Sequence, residues 1–204
     1  MCKKIGIYGG TFDPIHMGHL IVAEMARQEC GLEKVLFIPA ASPPHKNNKY
    51  VSPSNYRFHM TRLAVESNPY FEVSDIEIKR QGISYTVDTL KDLRKIYPKE
   101  YEFWMVIGGD SLVEMDTWRD VKNIVKLCNF AVYMRPHASV DRCMAQAEKI
   151  REQGNSRVEF VQAPMIEISS TDIRSRLARG KSIRYMVPDV VRDYIMDQEL
   201  FVRE

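Results

Sequence analysis

The fold is decided by residues 9–20, GGTFDPIHMGHL. The apolar run at 5–8, IGIY, comes directly before them and predicts a short buried strand, and residues 20–30 after them predict a helix. Two adjacent glycines, a proline turn and two histidines therefore lie in one strand-to-helix crossover. In an open α/β sheet, ligands bind at this place, outside the carboxyl ends of the strands. Glycines allow the backbone to approach a ligand closely, and the helix N-terminus favours an anion, typically phosphate.

The spacing of the glycines excludes the commonest phosphate loops. Gly6, Gly9 and Gly10 do not form G-x-G-x-x-G, and G-x-x-x-x-G-K-[ST] occurs nowhere in the chain. His16 and His19 are then the cationic partners expected for a phosphate, and their spacing places them on one side of a helix. Two alternatives stay open from the residues alone. The histidines are also compatible with a zinc pair, which needs a third protein ligand, or with a capping role that carries no chemistry.

Length and composition indicate one domain spanning residues 1–204, with a real hydrophobic core. Apolar residues make up 45% of the chain, and a formal charge of +2 gives no global field that would attract nucleic acid or a membrane. No apolar run reaches the ~20 residues of a membrane span. The four cysteines form no C-x-x-C, which favours buried free thiols in a reducing compartment; they are Cys2, Cys30, Cys128 and Cys143. We therefore expect a cytoplasmic protein, and a homo-oligomer is compatible with these properties.

Strand and helix patterns alternate along the chain. Further strands are predicted at 35–39, 103–107, 130–134 and 158–161, with 71–79 also extended. Helices are predicted at 52–67, from Ser84 or Thr86 to 97, and at 118–127, 139–153, 170–178 and 188–196. Strands separated by helices argue for a parallel sheet with right-handed crossovers. The predicted fold is therefore α/β, a Rossmann-like doubly wound parallel sheet with short C-terminal helices.

Three more loops fall at strand or helix ends, where they would meet the first loop. PPHK at 43–46 offers Lys46 as a point charge for phosphate, although a lone loop lysine is more often solvated surface. SYTVDTL at 84–90 predicts a capped helix start around Thr86. GGD at 108–110 allows close backbone approach and supplies Asp110 as an acceptor for ribose hydroxyls. Trp118 follows, and on its own it would more often belong to a core.

A fourth motif, ISSTDIR at 168–174, lies near the end of the chain. Its hydroxyls predict a helix N-cap that leaves backbone N–H groups for an anion. Arg174, in the first turn, can reach the same anion with two parallel hydrogen bonds. Taken alone, most such runs are plain caps followed by a surface arginine.

Taken together, these motifs resemble those of a known enzyme superfamily. Residues 9–20 resemble the T/HxGH loop, and residues 168–174 the ISSTxIR motif, of the nucleotidylyltransferases. PPHK, SYTxDTL and the downstream tryptophan make the chain similar to the nicotinate-nucleotide adenylyltransferase family, over essentially its whole length. The resemblance implies a nucleotidylyltransferase-type fold. It also implies transfer of the adenylyl group of ATP to nicotinate mononucleotide in NAD biosynthesis, giving nicotinate adenine dinucleotide and pyrophosphate.

The resemblance assigns roles to individual residues. Phosphate charge would be neutralised by His16, His19, Lys46 and Arg174, with Mg²⁺ carried by ATP and no metal held by the protein itself. The ATP site would comprise Gly9, Gly10, Thr11, Phe12, His16, His19, Gly108, Asp110, Ser169, Ser170, Thr171 and Arg174. The nicotinate mononucleotide site would comprise Lys46, Thr86, Trp118 and Arg135, with Thr86 at the nicotinate carboxylate and Trp118 stacked on the pyridine ring.

Rival assignments match fewer of these motifs. Pantetheine-phosphate adenylyltransferase and glycerol-phosphate cytidylyltransferase share the first motif, but are not expected to carry PPHK, SYTVDTL and the tryptophan together. A tRNA synthetase fragment would carry a KMSKS-type loop, which the chain lacks. A non-catalytic nucleotide-binding regulator is the alternative from another class. Turnover of ATP, as opposed to binding alone, distinguishes it from an enzyme.

Overall fold

A computed structural model of the protein describes residues 3–43, 51–135, 138–154 and 156–202. Six strands in these residues form one sheet in the order β3-β2-β1-β4-β5-β6, and every neighbouring pair is parallel. The strands are β1 (Lys3–Gly10), β2 (Lys34–Pro39), β3 (Phe71–Val73), β4 (Tyr101–Gly108), β5 (Asn129–Tyr133) and β6 (Val158–Val161). This order reverses direction between β1 and β4, which confirms the doubly wound α/β fold and opens a crevice at their carboxyl ends.

Helices cover both faces of the sheet. They are α1 (Met17–Glu29), α2 (Ser54–Val65), α3 (Ile76–Arg80), α4 (Thr86–Ile96), α5 (Gly109–Val113), α6 (Val121–Leu127), α7 (Val140–Gly154), α8 (Ser170–Leu177) and α9 (Asp189–Asp197). Successive residues of a strand point to opposite faces. Val35 and Phe37 of β2 therefore join the core beneath α1, α2, α8 and α9, while Leu36 and Ile38 join the core beneath α4, α6 and α7. Burial on both faces explains why the central strands are apolar throughout.

The prediction of extended structure over 71–79 is wrong beyond Val73. The chain turns into α3 at Ile76. The reason is tertiary: Glu77 accepts a hydrogen bond from the Thr89 hydroxyl of α4 at 2.6 Å, and Arg80 pairs with Asp92 at 3.0 Å. These contacts need side chains that share one face of a helix, and they override the alternating apolar pattern of the segment.

The predicted helix over 118–127 is also wrong at its start. Residues Met115–Thr117 form a short 3₁₀ turn, Trp118 is extended, and α6 begins only at Val121. Asp120 adopts a left-handed conformation with φ 59°, which separates the two elements. As a result the Trp118 side chain reaches the cleft and does not pack as part of α6.

Three predicted details of helix starts change as well. The helix α4 begins at Thr86 with Tyr85 at its N-cap, so neither Ser84 nor Thr86 caps it. The Ser84 hydroxyl instead accepts a hydrogen bond from the Ala41 N–H at 3.0 Å, in the loop after β2. Pro53 occupies the N-cap of α2, so this helix begins at Ser54, later than the predicted start at 52. The residues after β4 form α5, which the sequence pattern did not indicate.

The cysteines follow the prediction in the part of the chain that the structure describes. Cys30, Cys128 and Cys143 are buried free thiols, and burial raises the pKa of Cys30 to about 11. Cys2 lies outside the described residues. None of the described helices is long and apolar enough to cross a membrane.

Candidate active site

A cleft of about 1090 Å³ opens at the carboxyl edge of the sheet. The predicted site residues that line it are Gly9, Gly10, Thr11, Phe12, His16, His19, Thr86, Gly108, Trp118, Arg135, Ser169, Ser170 and Thr171. Two others lie at its border: Asp110 pairs with Arg135, and Arg174 contacts the loop between β1 and α1. Lys46 and the rest of PPHK after Pro43 lie outside the described residues. Both predicted nucleotide sites therefore share one cavity.

The two histidines form a stacked pair at the start of α1. His16 occupies the N-cap, and its ring centroid lies 3.6 Å from that of His19. The His16 backbone N–H donates to Nδ1 of His19 at 3.2 Å. Because Nδ1 accepts, a neutral His19 ring carries its proton on Nε2. The capping role left open by the sequence is thus real, but it is compatible with chemistry, since it orients a ring whose other nitrogen is a donor.

His16 is deeply buried, with 7% of its surface exposed. Burial, together with the smaller effect of the nearby positive charge of Arg135, lowers its pKa to about 4. The expectation of a cationic His16 is therefore wrong near pH 7 in this structure, where the ring is neutral. Gly18 makes room for this ring, because a Cβ at that position would lie 3.1 Å from His16 Nδ1.

The adjacent glycines of the first loop serve different purposes. A Cβ at Gly9 would meet nothing within 4 Å, so the backbone there is open to a ligand. A Cβ at Gly10 would lie only 2.8 Å from the ring of Phe12. Phe12 is buried, has φ 49°, and packs edge-on against His19 with centroids 5.1 Å apart. Gly10 is thus required for packing behind the histidine, whereas the sequence suggested ligand approach at both glycines.

The ISSTDIR motif at 168–174 is hydrogen-bonded directly to the first loop. Ser169 caps α8, its hydroxyl accepting from the Asp172 N–H at 3.1 Å, as predicted. The Ser170 hydroxyl donates to the Pro14 carbonyl at 2.9 Å, and Arg174 Nη1 donates to the Asp13 carbonyl at 2.6 Å. The start of α8 therefore holds the β1–α1 loop in place, a role of Arg174 that the motif alone did not reveal.

Arg135 lies at the end of β5, within a polar network along the cleft. It donates to the Tyr133 hydroxyl at 2.6 Å and pairs with Asp110 at 3.1 Å. The Tyr133 hydroxyl lies 3.4 Å from that of Tyr8. Gly108 leaves the space that Asp110 and Arg135 occupy. The network places a cation between the end of β4 and the histidine pair.

The opposite side of the cleft is formed by the start of α4 and by Trp118. Thr86 is the first residue of α4, where backbone N–H groups lack intrahelical partners. Arg119 lies over the ring of Tyr85, with 4.6 Å from Cζ to the centroid, and pairs with Asp88 at 3.5 Å. An aromatic ring, a helix N-terminus and a cation therefore adjoin, which suits an aromatic acid.

Three buried polar residues around the first loop were not predicted from the sequence. Asp13, Arg57 and Glu77 are each more than nine-tenths buried. Asp13 lies within residues 9–20, so its position in the sequence could have indicated that it belongs to the first loop. Arg57 had a weaker signal: it lies on the same stripe of α2 as the buried residues Met60 and Ala64. A charged residue on an apolar stripe indicates a buried, hydrogen-bonded group.

Metal ligation was the remaining alternative for the histidine pair. Within the described ranges, no three His, Cys, Asp or Glu side chains come together in a group that could hold a metal ion. The third ligand that a zinc pair requires is therefore not present in that part of the chain. Stacked histidines at a helix N-terminus fit a phosphate instead.

Comparison with known proteins agrees with this geometry. A family profile described as cytidylyltransferase-like matches residues 7–176. A probable nicotinate-nucleotide adenylyltransferase of Desulfitobacterium hafniense is 46% identical over 199 residues, covering 98% of this chain and 96% of the relative. Another, of Moorella thermoacetica, is 43% identical over 97% of this chain and 91% of its own length.

A solved structure shares the fold. Nicotinic acid mononucleotide adenylyltransferase of Plasmodium falciparum, complexed with NaAD, superposes with a TM-score of 0.77 at 21% identity. The match covers 98% of this chain and 97% of that one. With relatives above 40% identity along nearly their whole length, the chain belongs to the nicotinate-nucleotide adenylyltransferase family of cytidylyltransferase-like proteins.

Proposed function

We propose that this protein transfers the adenylyl group of ATP to nicotinate mononucleotide, with the ATP phosphates at the histidine pair and the acceptor at α4 and Trp118. The observation that carries the proposal is the stacked pair of His16 and His19 at the N-terminus of α1. It lines the same cleft as Thr86 and Trp118. A phosphate site and a site for an aromatic acid within one cavity are what this reaction requires.

The chemistry needs positioning more than proton transfer. A phosphate oxygen of nicotinate mononucleotide attacks the α-phosphorus of ATP. The bond between the α-phosphorus and the oxygen that bridges it to the β-phosphate breaks, and pyrophosphate leaves with that electron pair. The nucleophile is already an anion, so no general base is required. His19 donates from Nε2, and the N-terminus of α1 adds its partial positive charge. These donors stabilise negative charge as it shifts onto the leaving group.

Magnesium enters this scheme as part of the substrate. Mg²⁺ prefers octahedral oxygen ligands and commonly binds through substrate phosphates with few protein carboxylates. The described residues offer no cluster of acidic or histidine side chains for a resident ion. In this scheme Mg²⁺ would arrive with ATP, and the triphosphate would supply most of its ligands.

The acceptor site accounts for a preference for the acid over the amide. A helix N-terminus attracts a carboxylate more strongly than an uncharged carboxamide. Thr86 offers this environment at the start of α4, Trp118 offers a stacking surface, and Arg119 adds positive charge beside Tyr85. The resemblance assigns the acceptor phosphate to Lys46, which lies outside the described residues.

The test is pyrophosphate release from ATP and Mg²⁺ with three acceptors in parallel. Nicotinate mononucleotide should support strong release, nicotinamide mononucleotide weak release, and phosphopantetheine none. Strong release with another acceptor would contradict the substrate assignment. ATP binding without release from any acceptor would favour the non-catalytic regulator.

A further inference from the structure

Among the described residues, Arg57 is the most deeply buried charged side chain near the cleft, with 1% of its surface exposed. Its guanidinium donates to three backbone carbonyls: Nε to Ser52 at 2.8 Å, Nη1 to Thr11 at 2.8 Å, and Nη2 to Ala41 at 3.2 Å. Burial lowers its pKa from the usual value, and the carboxylates of Asp13 and Glu77 oppose that shift. A buried arginine with this many partners is held in one orientation.

Two of the three carbonyls, those of Thr11 and Ala41, belong to segments that the proposed function assigns to different substrates. Thr11 lies in the β1–α1 loop, residues 11–16, which leads to the histidine pair. We call it the ATP loop because the proposed function places the ATP phosphates at that pair. Ala41 follows β2, and its N–H donates to the Ser84 hydroxyl at 3.0 Å, while the Ser84 N–H donates to the Ser42 carbonyl at 3.0 Å. Ser84 precedes α4 by two residues. One side chain therefore links the ATP loop to the start of the acceptor site.

The ATP loop has further supports that do not involve Arg57. Arg174 donates to the Asp13 carbonyl, and the Ser170 hydroxyl donates to the Pro14 carbonyl. The Ser52 N–H also donates to the Asp13 carboxylate at 3.2 Å. Loss of Arg57 would therefore leave the ATP loop tied to α8. The link lost would be the one that Arg57 makes between Thr11 of that loop and Ala41, while the backbone hydrogen bond from the Ala40 N–H to the Gly10 carbonyl at 2.9 Å would remain.

We propose that Arg57 is a positioning residue that sets the acceptor side of the cleft relative to the ATP side. The proposal rests on the function proposed above. Arg57 does not line the cleft itself, so it acts through Thr11 and Ala41 and not by contact with a substrate. Lysine cannot replace it, because an ammonium lacks the planar fork that reaches three carbonyls at once. Misplacement of a reacting group by about 1 Å costs on the order of 100-fold in rate.

The test compares Arg57→Lys and Arg57→Met with Arg62→Met, a matched control on the exposed face of the same helix. Two quantities are measured for each folded variant: kcat/KM for nicotinate mononucleotide, and the Kd of a non-hydrolysable ATP analogue. Arg57→Lys should lower kcat/KM by about 10- to 100-fold while the analogue Kd changes little. Arg62→Met should match the wild type in both.

Several results would overturn the proposal. Wild-type kcat/KM in folded Arg57→Lys would show that the three-carbonyl contact does not matter. Equal losses of turnover and analogue binding, or failure of both Arg57 variants to fold, would show a purely structural role. If the wild-type protein instead turned over a different acceptor, the proposed substrate would be wrong. Arg57 would then be tested by the same two measurements with that acceptor.

Discussion

The two walls of the cleft are built differently. The wall made by the β1–α1 loop is held by buried polar groups, with His16 7%, Asp13 2% and Arg57 1% exposed. The wall made by the start of α4 and by Trp118 is open: Thr86 and Trp118 are half-buried, and Arg119 is exposed. The first wall is held by hydrogen bonds from α2 and α8, and we call it the fixed wall. The second consists of helix ends and a turn, and we call it the open wall.

This difference agrees with the role that the proposed function gives to each wall. Donors that stabilise charge in a transition state are effective when they are already oriented and shielded from water. An acceptor site must admit a second substrate and becomes buried only when that substrate stacks. Substitutions in the first wall are therefore expected to lower kcat, and substitutions in the second to raise KM for nicotinate mononucleotide.

The largest effect is expected at His19, in the fixed wall. His19→Ala should lower kcat by about 10²- to 10³-fold, the usual cost of removing one donor to a developing charge. Steady-state pyrophosphate release measures it, with circular dichroism to check folding.

His19→Asn is the matched control for the capping contact. The asparagine oxygen can accept from the His16 N–H as Nδ1 does, but the side chain does not reach as far as Nε2. Turnover should stay as low as in His19→Ala. Near-normal turnover of His19→Asn would mean that His19 only caps α1.

A smaller effect is expected at Trp118, in the open wall. Stacking of a base on an aromatic ring contributes about 1–3 kcal/mol, so Trp118→Ala should raise KM for nicotinate mononucleotide by about 5- to 150-fold. KM for ATP should change little, and Trp118→Phe should retain most of the affinity. If Trp118→Ala raised both KM values equally, the two walls would not be separable in this way.

Burial of His16 in the fixed wall should also lower the free energy of unfolding at acid pH. His16 has a folded-state pKa of about 4 against 6.5 for the free side chain, so below pH 6.5 the unfolded chain binds more protons. The free energy of unfolding therefore falls as the pH drops from 6.5 towards 4. His16 should account for about 2 kcal/mol of loss between about pH 7.5 and pH 5.

Urea unfolding of the wild type and of His16→Gln measures that contribution. Glutamine fills a similar volume and does not titrate. The free energy of unfolding of His16→Gln should therefore depend less steeply on pH in this window. Parallel curves for the two proteins would mean that His16 is not held neutral by burial.

The open wall shows where sequence patterns reach their limit. The first loop was predictable because its signals are local: adjacent glycines, a proline and two histidines between a strand and a helix. Trp118 was placed correctly in the cleft but on the wrong element, because the left-handed turn at Asp120 has no strong local signal. The strand predicted past Val73 failed because α3 is stabilised by side chains of α4, which are distant in sequence.

Arg57 illustrates the same limit in the fixed wall. Its partners are carbonyls of Thr11, Ala41 and Ser52, from the β1–α1 and β2–α2 connections. Every residue type has a carbonyl, so no motif marks these acceptors. The sequence could indicate that an arginine faces the core, but only the assembled sheet shows what it binds.

The smallest effect is expected at Ser169, where α8 supports the fixed wall. Its hydroxyl accepts from the Asp172 N–H, and Ser169→Ala should reduce the free energy of unfolding by about 1 kcal/mol. Ser175→Ala, within the same helix, is the matched control and should not destabilise, because alanine has the higher helix propensity. A cap that only stabilises α8 would leave KM for ATP unchanged in Ser169→Ala. A rise in KM for ATP beyond that of Ser175→Ala would place the hydroxyl in the phosphate site as well, and extend the fixed wall from the histidines to α8.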